Sequence, residues 1–167
     1  MEGFTNYLLH EDWPQQASRK NVMEKDQESY DGFVLGKVRS WAGKKEGKTG
    51  RCIVDSLKTE RPKYKIIFEM ASELMKEYDP KFKFTSIQFN RNHKMKKHKD
   101  GNNVGVSYII GLGNYLDGEL KIWDLTGEYT KIVDIKDKFY KFDGSKHYHE
   151  TQDFIGDRIT LVYYCVT

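Results

Sequence analysis

His98 and Asp100 stand two residues apart, and His149 and Arg158 follow much later in a chain of 167 residues. On an extended segment, residues at that spacing project to the same side, so the pair presents an imidazole and a carboxylate together. With a second imidazole the set becomes two histidines and one carboxylate, the donors that hold Fe(II) on one face and leave its other positions open. That second imidazole must come from elsewhere, and His149 lies where the sequence enters another extended segment. Arg158, nine residues further on, heads the apolar run from Ile159 to Tyr164. A guanidinium there can pair bidentately with a carboxylate. The chemistry these types allow is a metal site beside an anchor for a dicarboxylic acid. Thr160 projects to the same side as Arg158 and offers its hydroxyl to the same carboxylate.

The elements that must position these groups are legible in outline. Residues 1–30 are polar and read as an arm or cover with room for one short helix. Gly32 to Val38 alternates like a strand. The segment from Ala42 to Gly50, rich in glycine and lysine, reads as a loop. From Pro62, Ile66, Ile67, Met70, Leu74 and Met75 recur at helical spacing until Tyr78-Asp79-Pro80 ends the run, which predicts one amphipathic helix over 62–78. Beyond Pro80 the pattern is short strands punctuated by Gly and Asp: Phe82–Asn90, Val104–Leu112, Gly118–Trp123, Tyr129–Ile135, Phe139–Phe142 and Ile159–Val166. That rhythm indicates a β-sandwich or barrel. The expected fold is mainly β with flanking α: a double-stranded β-helix (jelly-roll, cupin-like) core over 82–167 with one main packed helix.

Composition sets the bounds. At 19.7 kDa, with 38% hydrophobic and 14% aromatic residues, the chain suits a single globular domain over 1–167. A net charge of +3 is too small to argue for an acidic partner, so local clustering must carry that case. Cys52 and Cys165 form no CxxC pair and fit a reduced interior at least as well as a disulfide. No apolar run reaches membrane-spanning length, and the polar start is no signal peptide. The expectation is a soluble, intracellular monomer without a membrane partner.

Arg91, His93, Lys94, Lys96, Lys97 and Lys99 form a basic run before and inside the His-x-Asp element. Such a run is ordinarily a solvated face. Its place beside the metal donors adds a second reading, contact with phosphates of a polyanion, through Lys96 and Lys97 above all. Lys44, Lys45, Lys48 and Arg51 supply a second basic loop. Trp41 and Trp123 either stack on a base or pack at an edge.

The His-x-Asp pair, the distant histidine and the following arginine together resemble the Fe(II)/2-oxoglutarate dioxygenase superfamily. The runs Phe84-Thr85-Ser86-Ile87-Gln88-Phe89-Asn90-Arg91-Asn92 and His98-Lys99-Asp100-Gly101-Asn102-Asn103-Val104-Gly105-Val106-Ser107 look like the TET/JBP group of nucleic-acid-modifying oxygenases. So do Gly111-Leu112-Gly113, Gly118-Glu119-Leu120, Phe142-Asp143-Gly144 and the closing stretch Arg158 to Tyr164. The likeness covers residues 82–167. It implies a catalytic iron held by His98, Asp100 and His149, with 2-oxoglutarate and O2 as co-substrates and Arg158, Thr160 and Tyr108 or Ser107 around the 2-oxoglutarate. It favours His149 over His147, which faces the same way on an extended strand, because the arginine then lies at the family's distance. Asn103 takes the place of an asparagine that contacts a flipped target base, or else simply belongs to the Gly101-Asn102-Asn103 turn. The implied reaction is hydroxylation of a pyrimidine methyl group, 5-methylcytosine or thymine, in DNA rather than RNA, with release of succinate and CO2. The alternative is a 2-oxoglutarate-dependent protein (prolyl-type) hydroxylase, which shares the short histidine-to-arginine interval. A non-catalytic β-barrel with a vestigial site is the third reading.

Overall fold

A computed structural model describes residues 1–40 and 52–166. Its frame is a large antiparallel sheet with helices on one face and a small sheet on the other. The helical face accounts for Ile67 and Met75 in the periodicity of residues 62–78, whereas Ile66 and Met70 are exposed. Helix α2 (Pro62–Tyr78) has proline at its start, where no amide partner is lost, and ends where the Asp79 amide donates to the Met75 carbonyl at 2.7 Å. Ile67, Ala71 and Met75 form its buried stripe. A second helix, α1 (Glu2–His10), buries Phe4 and Leu8 in the same core, so the N-terminal cover includes the short helix for which the sequence left room.

The seven-stranded sheet runs β1-β2-β4-β10-β5-β8, with β3 also paired to β2. Its strands are β1 (Gln15–Gln16), β2 (Tyr30–Ser40), β3 (Cys52–Asp55), β4 (Ser86–Arg91), β5 (Ser107–Asp117), β8 (Tyr140–Phe142) and β10 (Phe154–Tyr164). The small sheet is β7 (Thr130–Val133), β6 (Leu120–Trp123) and β9 (His149–Thr151), in the order β7-β6-β9. The fold is therefore mainly β, a double-stranded β-helix with flanking helices. Because β2 lies beside β4 in register from Asp31↔Arg91 to Gly36↔Ser86, the β core reaches well upstream of residue 82. Residues 82–85 lie outside the strand that begins at Ser86. Trp41, Lys44, Lys45, Lys48 and Arg51 lie outside the described residues.

The central strands are buried on both sides, and alternation sorts their side chains. On β10, Ile159, Leu161 and Tyr163 point to the helices, where the Tyr163 hydroxyl donates to the Ala71 carbonyl at 2.7 Å. Arg158, Thr160, Val162 and Tyr164 point the other way, into a cavity of about 650 Å³ between the sheets. Strand β4 does the same with Gln88 and Asn90. Ile109, Leu120, Ile122, Ile135 and Phe142 form the apolar packing between the two sheets.

Candidate metal centre

His98 and His149 are bound backbone to backbone: each amide donates to the other's carbonyl at 3.0 Å. This single rung fixes two imidazoles from segments far apart in sequence on one side of the cavity. Each ring is then oriented by its Nδ1, which donates to a carbonyl two residues upstream, Lys96 at 2.5 Å for His98 and His147 at 2.9 Å for His149. A carbonyl only accepts, so Nδ1 donates there and Nε2 is the ring atom left to face Asp100 and to meet a metal. Both Nε2 atoms face Asp100, with His98 Nε2 3.5 Å from Oδ1 and His149 Nε2 3.2 Å from Oδ2. One ligand atom from each of the three residues lies within 4.8 Å of the others. The Asp100 amide is tied to the Gly144 carbonyl at 2.8 Å. A Cβ on Gly144 would lie 2.9 Å from Asp100 Oδ2 and 3.3 Å from His149 Cε1, so glycine is what lets this turn close over the donors. Two oriented imidazoles and a carboxylate converging this closely fit a divalent transition ion of the Fe(II) type. His147 is turned away, its Nδ1 donating to the Trp123 carbonyl at 2.9 Å.

Burial by itself pushes the Asp100 carboxyl up. The imidazoles of His149 and His98 and the charge of Arg19 outweigh it and hold the group well below the usual carboxylate range. Arg19 belongs to the N-terminal cover, and its Nη2 donates to Asp100 Oδ1 at 3.0 Å. Nothing in the sequence pattern singled out this arginine, which sits in a generally charged stretch. Tyr164, which lines the same cavity, is pushed up to about 12 by burial and stays a neutral phenol.

Arg158 lies across the cavity, 4% exposed. Its Nε and Nη2 donate to the Gly118 carbonyl at 3.1 and 2.9 Å, and among the described residues no carboxylate pairs with it. The guanidinium sits 5.6 Å from the centre of the Tyr115 ring, but burial pushes that phenol up to about 12, so it supplies no counter-charge. Burial pulls the guanidinium down from its ordinary value, yet an arginine remains charged. Gly118 has φ +67°, and a Cβ there would lie 2.9 Å from Arg158 Nε, so the tight β5–β6 turn and the seat of the arginine need the same glycine. Thr160 stands on the same strand face and accepts from Asn90 Nδ2 at 3.0 Å. Its own proton is thereby left for an anion. Gln88 extends this row, donating to Asn90 Oδ1 at 3.0 Å and to Gln16 Oε1 at 2.7 Å. The sequence reading did not find these amides, although Gln88 and Asn90 alternate with Ile87 and Phe89.

Tyr108 is a correction. Its hydroxyl donates to Asp79 at 3.0 Å, and its ring meets Tyr78, Phe82 and Phe139 on the helical face. It therefore points away from Arg158 and does not line the cavity. Ile109 takes that wall instead, and Ser107, on the same side as Ile109, is buried short of it. Asn103 lines the cavity mouth while its amide closes a turn on the Asp100 carbonyl at 3.1 Å, so turn and wall positions coincide.

The basic run is divided by packing. Arg91 is half-buried against Asp31 at 2.9 Å, with Trp13 beneath it. His93 is buried, stacked on Tyr30 at 4.1 Å with Nε2 at 3.0 Å from the Val22 carbonyl. Lys94 pairs with Asp153. Arg91 and His93 are structural, which corrects their reading as phosphate contacts, whereas the Lys94 pair lies at the exposed surface. Lys96, Lys97 and Lys99 are exposed. Lys97 Nζ lies 4.3 Å from the Trp123 ring centre and 5.1 Å from that of Tyr148, Lys99 4.5 Å from Tyr148, and Lys121 4.9 Å from Trp123. Three lysines and two aromatic rings thus form one patch beside the cavity, and Trp123 serves these cations at the surface.

No family profile and no curated sequence matches the chain. Solved structures do. A 2OG-Fe(II) oxygenase family oxidoreductase from Burkholderia pseudomallei superposes with a TM-score of 0.60 at 14% identity, over 95% of this chain and 76% of that one. NgTET1 in complex with 5mC DNA gives 0.58 at 16%, over 98% of this chain and 66% of that one. OsALKBH1 gives 0.54 at 11%, over 96% and 88%. The chain thus spans about two thirds of the TET structure's length. The fold is one that 2OG-Fe(II) oxygenases share, and among the described residues no helix is long and apolar enough to cross a membrane.

Proposed function

We propose that the chain is an Fe(II)- and 2-oxoglutarate-dependent dioxygenase that hydroxylates a pyrimidine methyl group, 5-methylcytosine or thymine, in DNA. The observation that carries the chemistry is a buried guanidinium that no carboxylate among the described residues pairs with, in the same cavity as a converged His98, Asp100 and His149. A cation in that position is costly unless an anion joins it. A dicarboxylic acid reaching from the metal side to Arg158 and Thr160 supplies that anion. Bound iron would supply oxidative decarboxylation of 2-oxoglutarate coupled to C–H hydroxylation, one atom of O2 entering succinate and the other the product. The protein's part is to hold the ion through Nε2, Nε2 and a carboxylate oxygen, to anchor the distal carboxylate, and to keep the remaining cavity for substrate.

Support for DNA comes from the rim. Lys97, Lys99 and Lys121 sit on aromatic faces beside the cavity, and Lys96 adds an exposed cation nearby, an arrangement suited to a phosphodiester backbone. Asn103 at the mouth has the donor and acceptor needed to read a base edge. NgTET1, a structural neighbour, was solved with 5mC DNA. A methyl group inside a duplex cannot reach so recessed a site, so the target nucleotide must leave the stack. The test is nucleoside mass spectrometry after incubation with methylated duplex DNA, Fe(II) and 2-oxoglutarate. Oxidised pyrimidine is expected with the native chain and not with His149→Ala. Succinate formed with a prolyl peptide, and no oxidised base, would replace DNA by a protein substrate.

A further inference from the structure

Arg19 occupies a position that a surface charge has no reason to take. It lies in the cover between Gln16 and Tyr30, a stretch anchored at both ends where β1 pairs with β2 through Gln15↔Asp31 and Gln16↔Tyr30. A small cluster of Val22, Met23 and Tyr30 against Met95 pins its middle. The Lys96 amide donates to the Val22 carbonyl at 3.2 Å, and the buried ring of His93 lies against the same carbonyl. The Arg19 side chain is thereby delivered into the cavity, 24% exposed, with Nη2 3.0 Å from Oδ1 of Asp100. Among the described residues Asp100 is its one acidic partner.

We propose that Arg19 is a positioning residue that restricts Asp100 to a single oxygen toward the metal and so keeps a coordination position free for 2-oxoglutarate. This rests on the iron reading of the site. The 2-oxo acid needs adjacent positions for its carboxylate and keto oxygens, and O2 needs another, so the protein must supply no more than three donor atoms. A carboxylate with both oxygens free can chelate and take a fourth. With Oδ1 held by a charged hydrogen bond, Oδ2, 3.2 Å from His149 Nε2, is the oxygen left to complete the set. Because the same arginine belongs to the cover, it couples the order of residues 17–29 to the donor set.

The test separates metal binding from 2-oxoglutarate binding, both without turnover. Co(II) absorption titrations read the ion, and anaerobic titration of 2-oxoglutarate into the Fe(II)-loaded chain, followed by the metal-to-ligand charge-transfer band, reads the open positions. In Arg19→Ala, Co(II) affinity is expected to stay within about threefold of the native value. The 2-oxoglutarate dissociation constant is expected to rise by about tenfold or more, because an Asp100 free to chelate competes for one of its positions. Arg19→Lys, which restores a cation without the planar fork, should recover part of the loss. If the 2-oxoglutarate titration of Arg19→Ala superposes on the native one, the proposal is overturned. So it is if Co(II) and 2-oxoglutarate weaken in equal proportion with a lowered unfolding midpoint, which makes the arginine a strut for the cover. A native chain that binds no Co(II) removes the metal reading and the proposal together, an outcome distinguishable from the other two.

Discussion

Replacing Arg158 by methionine should move stability and ligand binding in opposite directions. The folded chain holds this guanidinium 4% exposed. Two of its five N–H groups are spent on the Gly118 carbonyl, three are left, and no carboxylate among the described residues pairs with it. A buried ion in that state costs several kcal/mol, and apolar replacement of similar volume is often neutral or stabilising by about 1–4 kcal/mol. Methionine fills comparable length without charge, so the unfolding free energy should be unchanged or higher. Binding runs the other way. Two charge-assisted hydrogen bonds to the distal carboxylate, about 1.5–3 kcal/mol each, disappear together. Allowing for their non-additivity, a loss of about 3–4 kcal/mol is expected, a dissociation constant for 2-oxoglutarate raised about 10²–10³-fold. Denaturant unfolding of the metal-free protein gives the first quantity and anaerobic charge-transfer titration the second. A variant that is less stable than the native chain yet binds 2-oxoglutarate equally well would refute the reasoning, because Arg158 would then be a structural strut.

Gly144→Ala should place a methyl group against Asp100 Oδ2 and His149 Cε1 and weaken Co(II) binding by about 10–100-fold, with an unaltered far-ultraviolet circular dichroism spectrum. Combined substitution of Lys97, Lys99 and Lys121 by alanine should lower DNA affinity and flatten the slope of log K against log salt by about 2–3 units, if each lysine meets a phosphate. Fluorescence anisotropy on a methylated duplex measures it, and an unchanged slope removes the patch from the interface. Stability should also depend on pH through His93. Burial lowers its pKa from the ordinary 6.5, only partly offset by the Val22 carbonyl. The unfolded chain therefore takes up a proton where the folded chain does not, and stability, full above about 6.5, declines as pH falls through that value until the folded pKa is reached. Urea midpoints taken from neutral to mildly acidic pH should show the decline, and His93→Gln should reduce its slope.

What the sequence disclosed and what it hid follow from the period of each element. Helix α2 was legible to the residue because one face is buried and the other wet, and proline marks both ends. The convergence of His98, Asp100 and His149 was legible because the distance of two between His98 and Asp100 needs no tertiary knowledge, and the resemblance to the dioxygenase superfamily singled out His149. Tyr108 was placed on the wrong face for the opposite reason. Strand β5 opens with six consecutive buried residues, so its apolar run carries no alternation to set the phase. In the basic run, what sets Arg91 and His93 apart from Lys97 in role is what packs on them, and composition does not record packing. Arg19 and the Gln88–Asn90–Thr160 row depend on contacts between distant segments, for which a single sequence holds no local signal.

The amide rung between His98 and His149 has a consequence for how such a chain can diversify. Two of the candidate donors are held by one reciprocal pair of backbone bonds, and between them the chain from Lys99 to Tyr148 runs through β5 and β8 of the large sheet, β6 and β7 of the small one, and the turns that join them. Lengthening or rebuilding the intervening turns adds closure entropy only as the logarithm of length, and it leaves the clasp and both rings where they are. Asn103 at the cavity mouth and the patch at Lys121, Trp123 and Tyr148 all belong to this span. The surface around the cavity is thus free to change by insertion and deletion while the spacing of the His98 and His149 rings stays fixed.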